Sequence, residues 1–172
     1  MNRDLKKVIR NIPDFPKKGI LFRDITPALL DTDAFEEICN LLCERYKDRP
    51  IDKIAAIEAR GFLFASVLAY RLKKGLIPLR KPGKLPWKTV SESYALEYGE
   101  ATLEMHEDAV LEGENILLVD DLLATGGTAA AAVKLIEKLG GRVEEIAFVI
   151  ELTELEGREK IGATPIFTLI SF

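Results

Sequence analysis

Residues 115–119, Asn-Ile-Leu-Leu-Val, form an almost wholly apolar run that stops at two aspartates, Asp120 and Asp121. After a short turn rich in small residues, a segment with helical periodicity begins near Thr128 and closes at Gly140-Gly141. A short apolar run of this kind reads as a buried strand, and its passage through a Gly-rich turn into a helix predicts a strand-loop-helix unit. That unit constrains the fold more than any other stretch, because strands buried on both faces belong to parallel sheets covered by helices.

The same alternation runs through most of the chain. Strands are expected over 51–59, 76–81, 143–152 and 164–172, and a shorter one over the alternating stretch 101–105. A helix over 61–74 carries Phe64, Val67, Leu68 and Leu72 on one stripe and stops at Lys73-Lys74-Gly75. An earlier helix, capped by Asp33 and reaching about Lys47, presents Phe35, Ile38, Leu42 and Tyr46. Residues 13–19 (Pro-Asp-Phe-Pro-Lys-Lys-Gly) are turn-rich, too irregular for a core element and suited to covering something. The pattern is that of an α/β protein with a mostly parallel sheet.

At 172 residues, with no internal repeat or break in composition, the chain is expected to form one domain spanning 1–172. A formal charge of -4 argues against general nucleic-acid binding, so an anionic ligand must be held by a local cluster of cations or backbone amides. Cys39 and Cys43 are the only cysteines, four apart on a helix and without a His or second Cys pair to complete a zinc site; both are expected to be reduced core residues. Residues 1–7 lack the apolar stretch of a signal peptide and no apolar run approaches the ~18 residues of a membrane span, so a cytoplasmic setting is expected.

The chemistry is written in Asp120-Asp121-Leu122-Leu123-Ala124-Thr125-Gly126-Gly127-Thr128. Ligands of open parallel sheets sit beyond the carboxyl ends of strands. There, small residues at 124, 126 and 127 let the backbone approach a phosphate, Thr125 and Thr128 offer hydroxyls, and the helix start adds unpaired N–H donors. A phosphate cup results. Two carboxylates beside it make sense only if the ligand also brings hydroxyls, a cation or a developing positive charge. The Lys of a P-loop is missing, as is the G-x-G-x-x-G of a dinucleotide fold. His106 has no nucleophile elbow to serve and is read as structural.

The stretch 119–128 resembles the phosphoribosyl pyrophosphate motif of the type I phosphoribosyltransferases, in the version of that family's adenine-specific branch. Three further segments agree: 15–27 (Phe-Pro-Lys-Lys-Gly-Ile-Leu-Phe-Arg-Asp-Ile-Thr-Pro) is similar to the base-binding hood, 58–64 (Glu-Ala-Arg-Gly-Phe-Leu-Phe) to the pyrophosphate loop, and 93–99 (Ser-Tyr-Ala-Leu-Glu-Tyr-Gly) to the mobile catalytic loop. Together with 80–86 they span nearly the whole chain in order. Lys18 and Trp87-Lys88 depart from the family pattern beside these motifs. The resemblance implies a central five-stranded parallel sheet with helices on both faces and a hood from about residues 1–30. It implies a cytoplasmic homodimer in purine salvage, converting adenine and phosphoribosyl pyrophosphate to AMP and pyrophosphate. A different purine base, or a non-catalytic sensor of phosphoribosyl pyrophosphate, are the alternatives.

Residue roles follow from the same resemblance. Ala124, Thr125, Gly126, Gly127 and Thr128 would hold the 5-phosphate, while Asp120 and Asp121 would face the ribose hydroxyls and the charge developing on the ring. Arg60, with Glu58 and Ala59, would meet the pyrophosphate. In relatives the peptide at the Glu58-Ala59 position is cis. Arg80, Lys81 and Lys84 would reach the pyrophosphate across the dimer interface, and Leu21, Phe22 and Arg23 would read the base. Glu97, followed by Tyr98, would exchange a proton with the purine. Mg2+ would arrive on the substrate's own oxygens, with no direct protein ligand.

Overall fold

A computed structural model describes residues 4–95 and 99–172. The chain divides into two compact units, Met1–Leu41 and Leu42–Phe172.

In the first unit, β1 (Arg10–Pro13) pairs antiparallel with β2 (Leu21–Asp24), in a register that sets Arg10 opposite Asp24 and Pro13 opposite Leu21. Neither strand is legible in the hydropathy, since each is four residues long and a Pro/Gly/Lys-rich loop separates them. That loop is tied by Asp14, whose carboxylate accepts the Gly19 N–H at 2.7 Å, and Phe15 meets the Phe22 ring edge-on at 5.1 Å. The helix α1 (Thr26–Leu30) follows, and α2 (Thr32–Tyr46) carries the chain onward. Its cap is Asp31, accepting the Ala34 N–H at 3.1 Å, rather than Asp33, which falls inside the first turn.

Asp24 secures this hairpin. Its carboxylate takes the Thr26 N–H at 2.9 Å and the Arg10 guanidinium at 2.6 Å. The Thr26 side chain first, then its backbone and Arg10, outweigh burial and pull the carboxyl down to about 2. A lowered acid stabilises the fold above its unfolded value of about 4, and that contribution is lost as pH falls towards 2. Acid titration of folding should therefore show a loss of roughly 2 kcal/mol across this window that Asp24→Asn removes. An unchanged acid limb in the variant would discard the assignment.

In the second unit, β3 (Lys53–Ile57), β4 (Gly75–Leu79), β7 (Asn115–Leu123), β8 (Arg142–Glu151) and β9 (Ile166–Ser171) form the expected five-stranded sheet, every pair parallel, in the order β4-β3-β7-β8-β9. Pro78 is tolerated because β4 is an edge strand. Between β4 and β7, an antiparallel ribbon of β5 (Thr89–Ala95) and β6 (Glu100–His106) projects; the second was expected, the first was not. The helices α3 (Gly61–Leu72) and α4 (Gly127–Lys138) are the crossovers, and the short α5 (Gly157–Ile161) precedes β9. Lys73 in the left-handed conformation (φ 55°) ends α3, two residues before Gly75 opens β4.

Period-2 alternation divides the sheet's side chains. Ala55, Ile57, Ile77, Leu79, Ile116, Leu118, Ile146 and Phe148 pack with Ala132, Leu135 and Ile136 of α4 in one cluster. Ile54, Ala56, Leu117, Val119, Ala147 and Val149 are buried on the opposite face, where Phe64 and Leu68 of α3 are also fully enclosed. Cys39 and Cys43 are buried and unbridged. Near the amino end of β8, Glu145 accepts a bidentate Arg45 pair at 2.8 Å and the Tyr46 hydroxyl at 2.6 Å, so its buried charge is met on every side.

Candidate active site

The strand order turns around between β3 and β7. From β3 the chain crosses through α3 outward to β4, whereas from β7 it crosses through α4 the other way, to β8. Right-handed crossovers running in opposite directions put their helices on opposite faces and leave a crevice beyond the carboxyl ends of the two central strands. A cavity of about 220 Å3 lies there, lined by Glu58, Ala59, Arg60, Lys81, Asp120, Asp121, Tyr94 and Thr128.

Both acidic residues project from β7 itself. The sequence placed the strand's end at Val119, where polarity begins; pairing with β3 does stop there, at Ala56 opposite Val119, but pairing with β8 continues to Leu123. The aspartates thus stand on a rigid strand rather than on a loop. Asp121 is buried and its Oδ2 accepts the Arg60 Nε–H, which joins the β3–α3 loop to β7. Asp120 accepts its neighbour's N–H at 2.8 Å. Burial, and next the Asp121 charge, push the Asp120 carboxyl well above its ordinary value. Asp121 is thus met by Arg60, while the charge on Asp120 is disfavoured and would be favoured by a positive charge arriving beside it.

Gly61 opens α3 because nothing larger fits: a Cβ there would stand 2.9 Å from both the Val119 carbonyl and Asp120 Oδ1. This position was read only as part of a motif, yet it sets the distance between the two loops. The Glu58-Ala59 peptide is cis, as the resemblance implied.

Opposite the aspartates, Glu58 gathers the basic loop. Its Oε2 accepts Arg80 Nε–H at 2.8 Å, its Oε1 accepts the Lys81 N–H at 3.1 Å, and Lys84 Nζ stands 3.9 Å away. Burial alone would raise the Glu58 carboxyl; the Arg80 and Lys81 hydrogen bonds and the two positive charges outweigh it and hold it low. Arg80 also bridges to Glu104 of β6 through paired backbone hydrogen bonds of 3.0 and 2.7 Å. The loop therefore places Lys81 in the wall of its own chain's cavity, with Arg80 turned onto Glu58. Trp87 is exposed beyond it.

The segment expected to form a phosphate cup adjoins this cavity as a smaller hollow of about 80 Å3 lined by Asp120, Ala124, Thr125, Gly126 and Thr128. Gly126 has φ 78° and precedes α4, whose first N–H groups have no side-chain cap. Such a terminus is a ready anion site. Tyr94 was not singled out in the sequence: its ring lies against Gly127 and its hydroxyl is 3.2 Å from Thr128 Oγ1. Only the alternation of β5, obscured by its polar residues, could have placed it inward.

Leu21, Phe22 and Arg23 form β2 in the first unit, where Leu21 is exposed, Phe22 packs on Phe15, and Arg23 donates to Asn11. Glu97 and Tyr98 lie outside the described residues. His106 ends β6 with Nε2 buried and without a hydrogen-bond partner among the described residues, away from the cavity lining.

Residues 27–171 match the phosphoribosyl transferase domain family, so the chain belongs to that family. A protein of Thermoanaerobacter sp. is 57% identical over 169 residues, covering 98% of both chains, and bears the name adenine phosphoribosyltransferase. The crystal structure of adenine phosphoribosyltransferase from Thermoanaerobacter pseudethanolicus superimposes with a TM-score of 0.95 at 56% identity, covering 98% of each chain. That from Saccharomyces cerevisiae, complexed with an imino-altritol bisphosphate and adenine, gives 0.90 at 40% identity over 96% of each. Within its family the chain falls among the adenine phosphoribosyltransferases.

Proposed function

We propose that the chain transfers a phosphoribosyl group from phosphoribosyl pyrophosphate to adenine, forming AMP and pyrophosphate in purine salvage. The observation that carries the reading is the switch-point crevice, where a phosphate cup, a pair of strand-borne carboxylates and a basic wall converge. Each meets one part of the substrate. Ala124 to Thr128 take the 5-phosphate on backbone amides and hydroxyls. Arg60, Lys81 and the Glu58-Ala59 backbone face the pyrophosphate. Asp120 and Asp121 lie between, where the ribose ring would gain positive charge as its bond to the leaving oxygen breaks.

In that step a ring nitrogen of adenine forms a bond to the anomeric carbon, the carbon–oxygen bond breaks with its electron pair going to pyrophosphate, and the nitrogen's proton leaves, we propose to Glu97. Little covalent help is required of the protein; positioning and charge do the work. Leu21, Phe22 and Arg23 are assigned to the base, whose amino and ring-nitrogen pattern a 6-oxo purine would reverse.

The donor set fits Mg2+ carried by the substrate: Asp120 and Asp121 are hard oxygen acceptors suited to its bound waters. When bound, the ion would neutralise pyrophosphate charge. The resemblance implied a cytoplasmic homodimer in which Arg80, Lys81 and Lys84 serve a partner; Lys81 lines its own chain's cavity, so for that residue the own-chain role is the one proposed, while a single domain rests on the length and even composition of the chain. No helix among the described residues is long and apolar enough to cross a membrane.

The direct test mixes the purified protein with phosphoribosyl pyrophosphate, Mg2+ and one base at a time. AMP from adenine, with turnover of hypoxanthine, xanthine and orotate at least about 10²-fold slower, is the expected result, since a site built to pair with one hydrogen-bond pattern rejects its reverse. Faster turnover of a 6-oxo purine, or no product from any base, would overturn it.

A further inference from the structure

At the carboxyl end of β8, on the side of the sheet away from the pyrophosphate wall, lies a buried carboxylate that the mechanism does not use. Glu151 is 6% exposed. It accepts Arg158 Nε–H at 2.6 Å and Nη2–H at 2.7 Å in a bidentate fork, and the Thr168 hydroxyl at 3.0 Å. Arg158 also donates to the Ile166 carbonyl at 3.3 Å, which joins α5 to β8 and β9 at once. Its neighbour Gly157 presses on the phosphate cup from beneath. A Cβ on Gly157 would stand 2.1 Å from the Ala124 carbonyl, and one on Gly126 would stand 2.0 Å from the Gly157 carbonyl. The cup and the start of α5 are thus in backbone-to-backbone contact at two points, with the Leu123 side chain beside them, its Cδ1 2.9 Å from the same Gly157 Cβ.

We infer that the Glu151–Arg158–Thr168 clamp positions the phosphate cup through Gly157, setting the curvature that the 5-phosphate end of a ligand requires. Arg158 is half exposed and does not line the cup, so it acts as a positioning residue. A fixed fork is suited to this task, because it holds both the direction and the distance of a partner, where an ammonium holds distance alone. Thr153 fastens the same turn from its other side, its N–H and hydroxyl donating to the Phe172 carbonyl at 2.9 and 2.6 Å.

The inference rests on the proposed reading of the cup, and the experiment separates the two. Arg158→Lys keeps the charge opposite Glu151 and removes the fork; Gly157→Ala leaves the clamp intact and forces the contact apart. For each, calorimetric titration with ribose 5-phosphate is run beside steady-state kinetics and thermal unfolding. Both variants should weaken ribose 5-phosphate about tenfold or more and raise the KM for phosphoribosyl pyrophosphate similarly, since displacements near 1 Å carry effects of this size. The KM for adenine at saturating phosphoribosyl pyrophosphate should stay within about twofold. A folded Arg158→Lys protein with wild-type affinity for ribose 5-phosphate would overturn the clamp, as would equal losses for both substrates. If the unmodified protein makes AMP but does not bind ribose 5-phosphate, the clamp falls and the transferase reading survives; if it makes no AMP, the reading itself falls.

Discussion

Asp121→Asn should lower kcat by roughly 10²–10³-fold, the usual loss when one preorganised electrostatic stabiliser is removed from a site. The amide keeps the size of the side chain and can still accept a hydrogen bond, so the change isolates the charge. Stability should fall little. Arg60, the partner it would lose, is 51% exposed and can return to water, and Asp120 is relieved of a like charge on the adjoining residue. The pH profile gives an independent sign. The Asp120 carboxyl is raised by burial first and by the Asp121 charge second; with that charge gone its titration moves down, and the acid limb of kcat/KM should move to lower pH. Kinetics beside thermal unfolding decide the matter. Turnover at the wild-type rate, or a protein that no longer folds, would end the proposal that Asp121 stabilises the sugar cation.

That prediction depends on geometry only partly readable in the chain. The apolar run before Asp120 and the small residues after it announce a strand, a cup and a helix, because hydropathy and glycine content report burial and close approach directly. What they cannot report is backbone pairing that persists through polar residues. β7 runs on to Leu123 because β8 pairs with it, and β8 is itself buried through Glu151, so the aspartates gain a rigid base from residues about thirty positions downstream. The same limit hid Gly157. In Leu-Glu-Gly-Arg-Glu it resembles any solvated turn, and only the folded chain sets its carbonyl beneath Gly126.

The hood shows a different failure. β1 and β2 are too short for periodicity to rise above a loop containing Pro16, Lys17, Lys18 and Gly19, so a paired hairpin reads as irregular cover. Conversely, Glu58 and Arg80 were both singled out for the ligand, and they hold each other in this structure. Sequence can identify a charge as belonging to a site without saying whether it meets the ligand or another charge. The Glu58 fork leaves Lys81 and Arg60 as the cations in the cavity wall, with Arg60 held by Asp121.

Glu97→Gln carries the largest expected effect. Glu97 was legible through resemblance alone, since one acid between Leu96 and Tyr98 has no periodicity to mark it, and it lies outside the described residues. Its neighbourhood in the chain is informative even so: Tyr94, three positions earlier on β5, lines the cavity and touches Thr128 of the cup. The chemistry is specific. As adenine's ring nitrogen bonds to the anomeric carbon it must shed a proton, and a carboxylate can take that proton whereas an amide of the same shape can only hydrogen-bond. Glu97→Gln should therefore lower kcat by about 10²–10⁴-fold, the range for loss of a general base, while the affinity for phosphoribosyl pyrophosphate stays near wild type because the phosphate cup and the basic wall are untouched. Steady-state kinetics would give the first quantity and a calorimetric titration with phosphoribosyl pyrophosphate the second. A substitution that weakened binding and left kcat intact would recast Glu97 as a substrate-holding residue, and near-normal values of both would remove it from the mechanism.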